Sequence, residues 1–310
     1  SHTVPLSASV SQRILRESFL CTSKHIIATP ISFDTNMSLG KHPPSPVAPF
    51  SDDAKFVRSV AVAEAPLGVC VHPATGHLVV ACDDDHCLVV LETATGTEVR
   101  RFGADALKRP FAVAVSAGDG AEVAAACVDG DQVVFFDWAS GALLRKVPVA
   151  RPVDVCAGRD GAWLIGSQGS GEVLEVSATG DVVRRFQVTV DARPGLKAIA
   201  LHPTTQEVYA VTQSSEDIRV FTYEGEFVRS VGKLQCCAGL VVDVAGHLLV
   251  SDWSPVRLAV LSGEDGTELR KLGSAGRGPE QLRFPAKLAL ANDGTLYVAD
   301  NDNNRVQVLK

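Results

Sequence analysis

Acidic side chains cluster in short polar loops along the chain, and oxygen-rich loops of this kind can bind a hard cation such as calcium. An aspartate in such a loop can instead accept hydrogen bonds from its own backbone N–H groups. Because these carboxylates recur loop after loop rather than converging, we interpret them as loop caps and predict no metal site. They are Asp83, Asp84, Asp85, Asp129, Asp131, Glu172, Glu216, Asp217, Asp252, Asp300 and Asp302.

Histidines and nucleophiles are no better placed for chemistry. A zinc site needs converging ligands, whereas the eight histidines are scattered along the chain. No Gly-x-Ser-x-Gly motif stands between a strand and a helix. The glycine-rich run 166–171 lies in a hairpin loop, which disfavours a phosphate site. We therefore predict no catalytic residue, metal ligand or cofactor.

Most of the eight cysteines lie in apolar, strand-like runs, as Cys70 does between two valines. Cys82 and Cys87 flank an acidic loop and are interpreted as hairpin ends in the core. Buried free thiols behave as small apolar side chains, and a chain of this length needs no disulfide framework. We expect a reducing, intracellular and cytoplasmic location.

The overall charge argues against two classes of partner. The formal net charge is -7 and the sequence pI is about 5.6, which disfavours nucleic acid and anionic membrane surfaces. No apolar run approaches the roughly 20 residues of a membrane-spanning helix. We expect a soluble monomer.

The residues that could do chemistry lie in a sequence that repeats. Short apolar strands recur every 41 to 48 residues, a period typical of a four-stranded propeller blade. Within each repeat, alternating apolar residues and glycine turns predict four antiparallel strands. The strands that open the repeats begin at Gly68, Ala112, Asp154, Ala198, Gly239 and Lys287.

The sixth repeat ends after its third strand, and a matching fourth strand is found upstream. The segment Phe56–Val60 is identical to Phe227–Val231, the fourth strand of the fourth repeat. We predict an all-β, six-bladed propeller of four-stranded antiparallel blades over residues 55–310, closed by the strand 56–62. Closure in this way removes exposed sheet edges.

Residues 1–54 show no repeat and are rich in serine, threonine and proline. They are expected to form a flexible leader or linker. Arg13, Arg16 and Lys24 against the single acid Glu17 are weakly similar to a transit peptide. Met37, the one methionine, offers an alternative translation start.

The last repeat resembles an NHL repeat in Phe284–Leu290, Gly294–Asp300 and Asn303–Val308. The fifth repeat is similar, and the first four keep the strand pattern without the Asn-Arg-Val signature. The resemblance covers residues 56–310 and implies an interaction module. Some relatives recognise substrates for ubiquitin ligases, some bind RNA, and a few related propellers are metal-dependent lyases or hydrolases.

From these observations we expect a non-catalytic scaffold that binds a protein or peptide around the mouth of the central channel. One predicted rim is almost uniformly acidic, while the other mixes acids with bases near the mouth. The alternatives are a metal-dependent lyase or hydrolase that uses Asp154, Lys197 and Lys287, a ubiquitin-ligase recognition module, or an RNA-binding propeller. The residues predicted to form the partner face are Arg109, Arg151, Asp154, Lys197, Lys287, Asp252 and Asp300.

Overall fold

The computed structural model describes residues 47–62, 65–189, 195–212, 217–232, 234 and 236–310. In these residues six four-stranded antiparallel sheets follow one another around a ring. The predicted fold class is therefore confirmed: the chain folds as an all-β, six-bladed propeller.

The blades take their strands in chain order, innermost strand first. Blade 1 contains β2 (Pro66–Val71), β3 (Leu78–Cys82), β4 (Cys87–Leu91) and β5 (Glu98–Phe102), and blade 2 contains β6 (Pro110–Val115), β7 (Glu122–Cys127), β8 (Gln132–Asp137) and β9 (Leu143–Pro148). Blade 3 contains β10 (Pro152–Ala157), β11 (Trp163–Ser167), β12 (Glu172–Val176) and β13 (Val182–Gln187), and blade 4 contains β14 (Leu196–Leu201), β15 (Val208–Thr212), β16 (Ile218–Phe221) and β17 (Phe227–Val231). Blade 5 contains β18 (Cys237–Val242), β19 (His247–Trp253), β20 (Val256–Ser262) and β21 (Glu268–Leu272).

Blade 6 is built from both ends of the propeller sequence. Its first three strands are β24 (Pro285–Leu290), β25 (Leu296–Asp300) and β26 (Arg305–Leu309), and its outer strand is β1 (Phe56–Ala61). Ser59 lies opposite Gln307, and its hydroxyl donates to Gln307 Oε1 at 2.8 Å. The predicted closing strand is thus present. A small parallel pair, β22 (Ser274–Ala275) and β23 (Gln281–Leu282), precedes blade 6.

Antiparallel strands direct alternate connections to opposite ends of each blade, which gives the ring two faces. We call the upper face the one formed by the loops between second and third strands and by the connections into the next innermost strand. The lower face contains the turns between first and second strands and between third and fourth strands. Residues far apart in sequence thus meet on one face.

The core lies between blades and consists mainly of valine, leucine and alanine. β3 and β4 are buried along their whole length, whereas the outer strand β5 alternates between exposed and half-buried residues. Innermost strands approach each other closely: a Cβ placed on Gly239 would lie 2.6 Å from Ala286 O. Only glycine fits at that contact.

Residues 47–54 form a strap along blades 5 and 6. Phe50 and Ala54 are buried in the apolar cluster between these blades. The N–H of Phe50 donates to Asp243 Oδ2 at 3.1 Å, and Arg270 donates to Ser51 O at 3.2 Å. The leader interpretation therefore does not extend to residues 47–54; for residues 1–46, including Met37, it stays a prediction outside the described residues.

Two further expectations concern the chain as a whole. The seven cysteines within the described ranges are free thiols, and four of them are buried. None of the helices described is long and apolar enough to cross a membrane.

Candidate functional site

The third residue of each innermost strand lies at an equivalent position around the central channel. Four blades place glycine or alanine there, whereas blade 3 places Asp154 and blade 6 places Lys287. These two blades lie opposite each other in the ring. Lys287 Nζ donates to Asp154 Oδ2 at 2.8 Å, so an ion pair spans the channel.

The ion pair has further partners in blade 4. Lys287 Nζ also donates to the carbonyl oxygen of Lys197 at 3.1 Å, and Asp154 Oδ2 accepts from the N–H of Ile199 at 3.0 Å. Lys287 is 5% exposed and Asp154 is 8% exposed. A buried charge pair persists only when its hydrogen bonds are satisfied. These two side chains are therefore occupied with each other and do not offer themselves to a partner, in contrast to their predicted role.

Arg109 and Arg151 lie on the upper face, each directly before the proline that opens an innermost strand. Both have a left-handed backbone, with φ of 48° and 45°, a conformation that non-glycine residues rarely adopt. Arg109 binds Asp83 at 3.0 Å and Asp129 at 3.0 Å. These two acids therefore join blades 1 and 2 through an arginine instead of only capping their own loops.

Asp252 and Asp300 are buried beneath the upper loops. Asp300 accepts hydrogen bonds from the N–H of Arg283 at 2.6 Å, from Asn303 Nδ2 at 2.8 Å and from Arg305 Nε at 2.8 Å. Burial raises the pKa of Asp252. Both carboxylates hold loops in place and are removed from direct contact with a partner.

An aromatic pair on the upper face was not predicted from the sequence. The Trp253 ring is 6.0 Å from the Phe284 ring, and Trp253 is 43% exposed. Phe284 directly precedes the innermost strand β24 and also has a left-handed backbone. Trp253 ends β19 two residues before Pro255, and Phe284 directly precedes Pro285; an aromatic residue close to a proline is the sequence signal that could have revealed them.

Arginines of the outer strands lie between blades. The third residue of each outer strand is an arginine, and all six are partly buried: Arg58, Arg100, Arg145, Arg184, Arg229 and Arg270. Several donate to carbonyl oxygens of the next blade, as Arg184 does to Tyr223 O at 3.4 Å and Arg229 to Gly263 O at 3.3 Å. These arginines tie neighbouring blades together, in addition to any effect on exposed sheet edges.

The described residues contain no group of three or more His, Cys, Asp or Glu side chains placed to hold a metal ion. Two clefts open on the lower face. One, of about 280 Å³, lies between blades 3 and 4 beside Tyr223. The other, of about 500 Å³, lies between blades 4 and 5 beside His202 and His247.

The family model of the NHL repeat matches residues 282–309, which contain all three C-terminal strands of blade 6. The matched segment of blade 6 is thus an NHL repeat, within a six-bladed β-propeller. The propeller is similar in fold to the streptogramin B lyase structure, with a TM-score of 0.59, 11% identity, and coverage of 83% of this chain and 97% of that one. It is also similar to hydrazine synthase of Kuenenia stuttgartiensis, with a TM-score of 0.61, 14% identity, and coverage of 84% and 98%.

At such identities the likeness shows the fold alone, since one fold serves many functions. No curated protein matches the chain in sequence.

Proposed function

We propose that this NHL propeller is a non-catalytic scaffold that binds a protein or peptide on its upper face. The observation that carries the proposal is the exposed Trp253, whose ring lies 6.0 Å from the tilted ring of Phe284 on a face that also carries arginines. Aromatic and arginine side chains contribute most of the binding energy at protein interfaces. The proposal keeps the face predicted from the sequence but places its centre at Trp253 instead of Lys287.

The charges of this face favour an acidic segment. Arg109 is paired with Asp83 and Asp129, and Arg283 with Asp302. Within the described residues the side chains of Arg151 and Lys197 have no acidic partner, so they supply the positive charge on this side of the ring. Cations around an apolar centre attract an acidic peptide at long range, and salt weakens that attraction. An acidic segment with one apolar side chain is the partner that fits.

The backbone before several innermost strands has a conformation that recurs between blades. Arg109, Arg151 and Phe284 share with Ala65 a positive φ directly before a proline, although such residues normally adopt extended conformations. This conformation fixes the directions of two arginines and one aromatic ring on the upper face.

An enzymatic function has less support. Its candidate residues are Asp154, Lys197 and Lys287, and two of these form the buried bridge across the channel while the third supplies a carbonyl oxygen to it. The activities named for the two similar structures are properties of those proteins and do not support an enzymatic function here.

Peptide display against the immobilised propeller tests the proposal, because it selects binders from random sequences and needs no named partner. We expect selected peptides to be acidic and to contain an apolar anchor. Trp253→Ala and Arg151→Glu should each weaken binding of a selected peptide about tenfold or more, as loss of an interface anchor does. Binding should also weaken as the salt concentration rises.

Glu226→Lys is the matched control, because Glu226 is an exposed acid on the lower face of blade 4. It should leave the affinity of the peptide unchanged. Peptides whose binding is lost in Glu226→Lys but kept in Trp253→Ala and Arg151→Glu would contradict the choice of face. Failure to select any peptide, together with a small molecule that raises the melting temperature, would favour the enzyme alternative.

A further inference from the structure

The hairpin between second and third strands ends, in several blades, with two residues directly opposite each other below the upper loop. In each pair the first residue also lies opposite the residue that opens the innermost strand, and the loop between the two has the same length, so the pairs are equivalent. They are Cys82 and Cys87 in blade 1, Cys127 and Gln132 in blade 2, Asp252 and Arg257 in blade 5, and Asp300 and Arg305 in blade 6.

The side chains of the pairs in blades 5 and 6 reach each other. Arg305 Nε lies 2.8 Å from Asp300 Oδ2, and Arg257 Nε lies 3.8 Å from Asp252 Oδ2. Opposite residues of two antiparallel strands project to the same side of the sheet and interact there. The equivalent pair of blade 1 places a thiol on both strands at this position.

Cys82 and Cys87 are close enough for a disulfide. Directly opposite residues of antiparallel strands have Cα atoms about 4.5–5.5 Å apart, and disulfides join residues whose Cα atoms are about 4.4–6.8 Å apart. Both residues are free thiols, and they pack in the same apolar cluster and are hydrogen-bonded to each other. A bond between the two sulfur atoms therefore requires no change in the register of β3 and β4.

The two thiols differ in how readily they ionise. The hydrogen bond from Cys82 lowers the pKa of Cys87, and the same hydrogen bond raises the pKa of Cys82. In blade 2, where Cys127 faces Gln132 instead of a second thiol, burial raises the pKa of Cys127. Because the thiolate is the nucleophilic form of cysteine, Cys87 is the member of the pair that attacks first.

Access to the pair selects a small oxidant. Cys82 and Cys87 are 0% and 3% exposed, so a bulky disulfide reagent has no path to them. The loop beside them is at the surface, with Asp84 and His86 exposed, and surface loops open locally at a small fraction of the free energy of global unfolding. Hydrogen peroxide is small enough to enter through such an opening.

We propose that Cys82 and Cys87 form a modification site, a pair of thiols that hydrogen peroxide converts into a disulfide across the hairpin of blade 1. The Cys87 thiolate attacks one peroxide oxygen, the O–O bond breaks, and the other oxygen leaves as water with the proton that Cys87 had released. The Cys82 sulfur then attacks the sulfenic acid, the S–S bond forms, and the S–O bond breaks as a second water leaves with the Cys82 proton.

The step is balanced, since the two thiols lose two electrons and two protons and the peroxide becomes two water molecules. A thiol reductant restores the pair by thiol–disulfide exchange. This site is separate from the proposed scaffold function, and its test needs no binding partner.

Peroxide treatment of the full chain tests the proposal, followed by alkylation of the remaining thiols and peptide mapping. Digestion before aspartate cuts the loop at Asp83, Asp84 and Asp85, so the peptides of Cys82 and Cys87 separate unless a disulfide joins them. We expect the joined peptides to form about tenfold faster, or more, than any oxidation product of Cys127, because a buried thiol without a thiol partner is inert. Dithiothreitol should separate them again.

Cys127→Ala is the matched control, because Cys127 is the equivalent of Cys82 in blade 2. It should form the disulfide at the wild-type rate. Cys82→Ala should form none and should instead keep a sulfenic acid on Cys87, which dimedone traps. Cys87→Ala should give neither a disulfide nor a sulfenic acid at Cys82. Circular dichroism and the melting temperature establish that each variant is folded.

Three results would overturn the proposal. The first is a pair that stays reduced while Cys127 or Cys236 is oxidised. The second is a sulfenic acid on Cys87 that persists in the folded wild-type chain, since Cys82 would then be unable to reach it. The third is a set of joined peptides that persists in Cys82→Ala, which would assign the bond to Cys70 on the same peptide as Cys82.

Discussion

At the scale of single residues, the bridge between Asp154 and Lys287 explains why two charged residues interrupt a ring of glycine and alanine. The two stand at the same position of the third and sixth repeats. In a ring of six blades, repeats that are three apart lie on opposite sides of the axis. The two opposite charges can therefore meet across the channel, because the small residues at this position in the other blades leave room for them.

The bridge leads to a prediction about stability. Asp154→Ala leaves the Lys287 ammonium buried without its partner and should lower the free energy of unfolding by about 3–5 kcal/mol. The double variant Asp154→Leu with Lys287→Met removes both charges and should recover much of that loss. Urea denaturation measures both. A single variant as stable as the wild type would show that the ion pair contributes nothing.

At the scale of elements, ring closure depends on β1 and on the strap of residues 47–54. β1 supplies the outer strand of blade 6, and the strap buries Phe50 and Ala54 against blades 5 and 6. Burying one large apolar side chain stabilises a fold by about 1.5–3 kcal/mol. Strap and strand are adjacent in sequence, but they contribute through different contacts.

A truncation series separates these contributions. Removing residues 1–36, which join no repeat, should leave the melting temperature nearly unchanged. Removing residues 1–55 should lower it by several degrees, because Phe50 and the Arg270 hydrogen bonds are lost. Removing residues 1–62 should destabilise the ring much more, because β26 loses its partner strand. Equal melting temperatures for the first and third truncations would contradict the assignment of β1.

At the scale of the whole molecule, stability should depend on pH through two buried histidines. Burial lowers the pKa values of His72 and His202 from the ordinary value of 6.5. Below about pH 6.5 the unfolded chain therefore binds more protons at these two histidines than the folded chain does. The free energy of unfolding should therefore decrease as the pH falls through about 6.5 and continue to decrease down to the folded-state pKa values.

The double variant His72→Asn with His202→Asn tests this dependence. Asparagine oxygens can accept the backbone N–H groups that Nδ1 accepts now, so the turns keep their caps. We expect a smaller loss of stability between pH 7 and pH 5 than in the wild type, measured by urea denaturation at each pH. Carboxylates titrate mainly below this range. Parallel pH profiles for variant and wild type would show that neither histidine is responsible.

The sequence alone determined the architecture, because each blade is a local unit of four adjacent strands. The period of about 40 residues, the alternation of apolar side chains and the duplicate of Phe227–Val231 at Phe56–Val60 specified blade number and closure. Glycine and alanine at the start of most innermost strands also reflect local packing. The charges of the loops led to the proposal that the upper face binds a partner.

Only the tertiary structure decided how the charges and rings pair, because partners lie in different blades, tens of residues apart. The sequence predicted that Lys287 and Asp300 lie on a partner face, whereas in the structure both side chains are buried and hydrogen-bonded within the propeller. The exposed Trp253 has no counterpart at a fixed period in the sequence. Its contact with Phe284 becomes visible only when the fold brings blades 5 and 6 together.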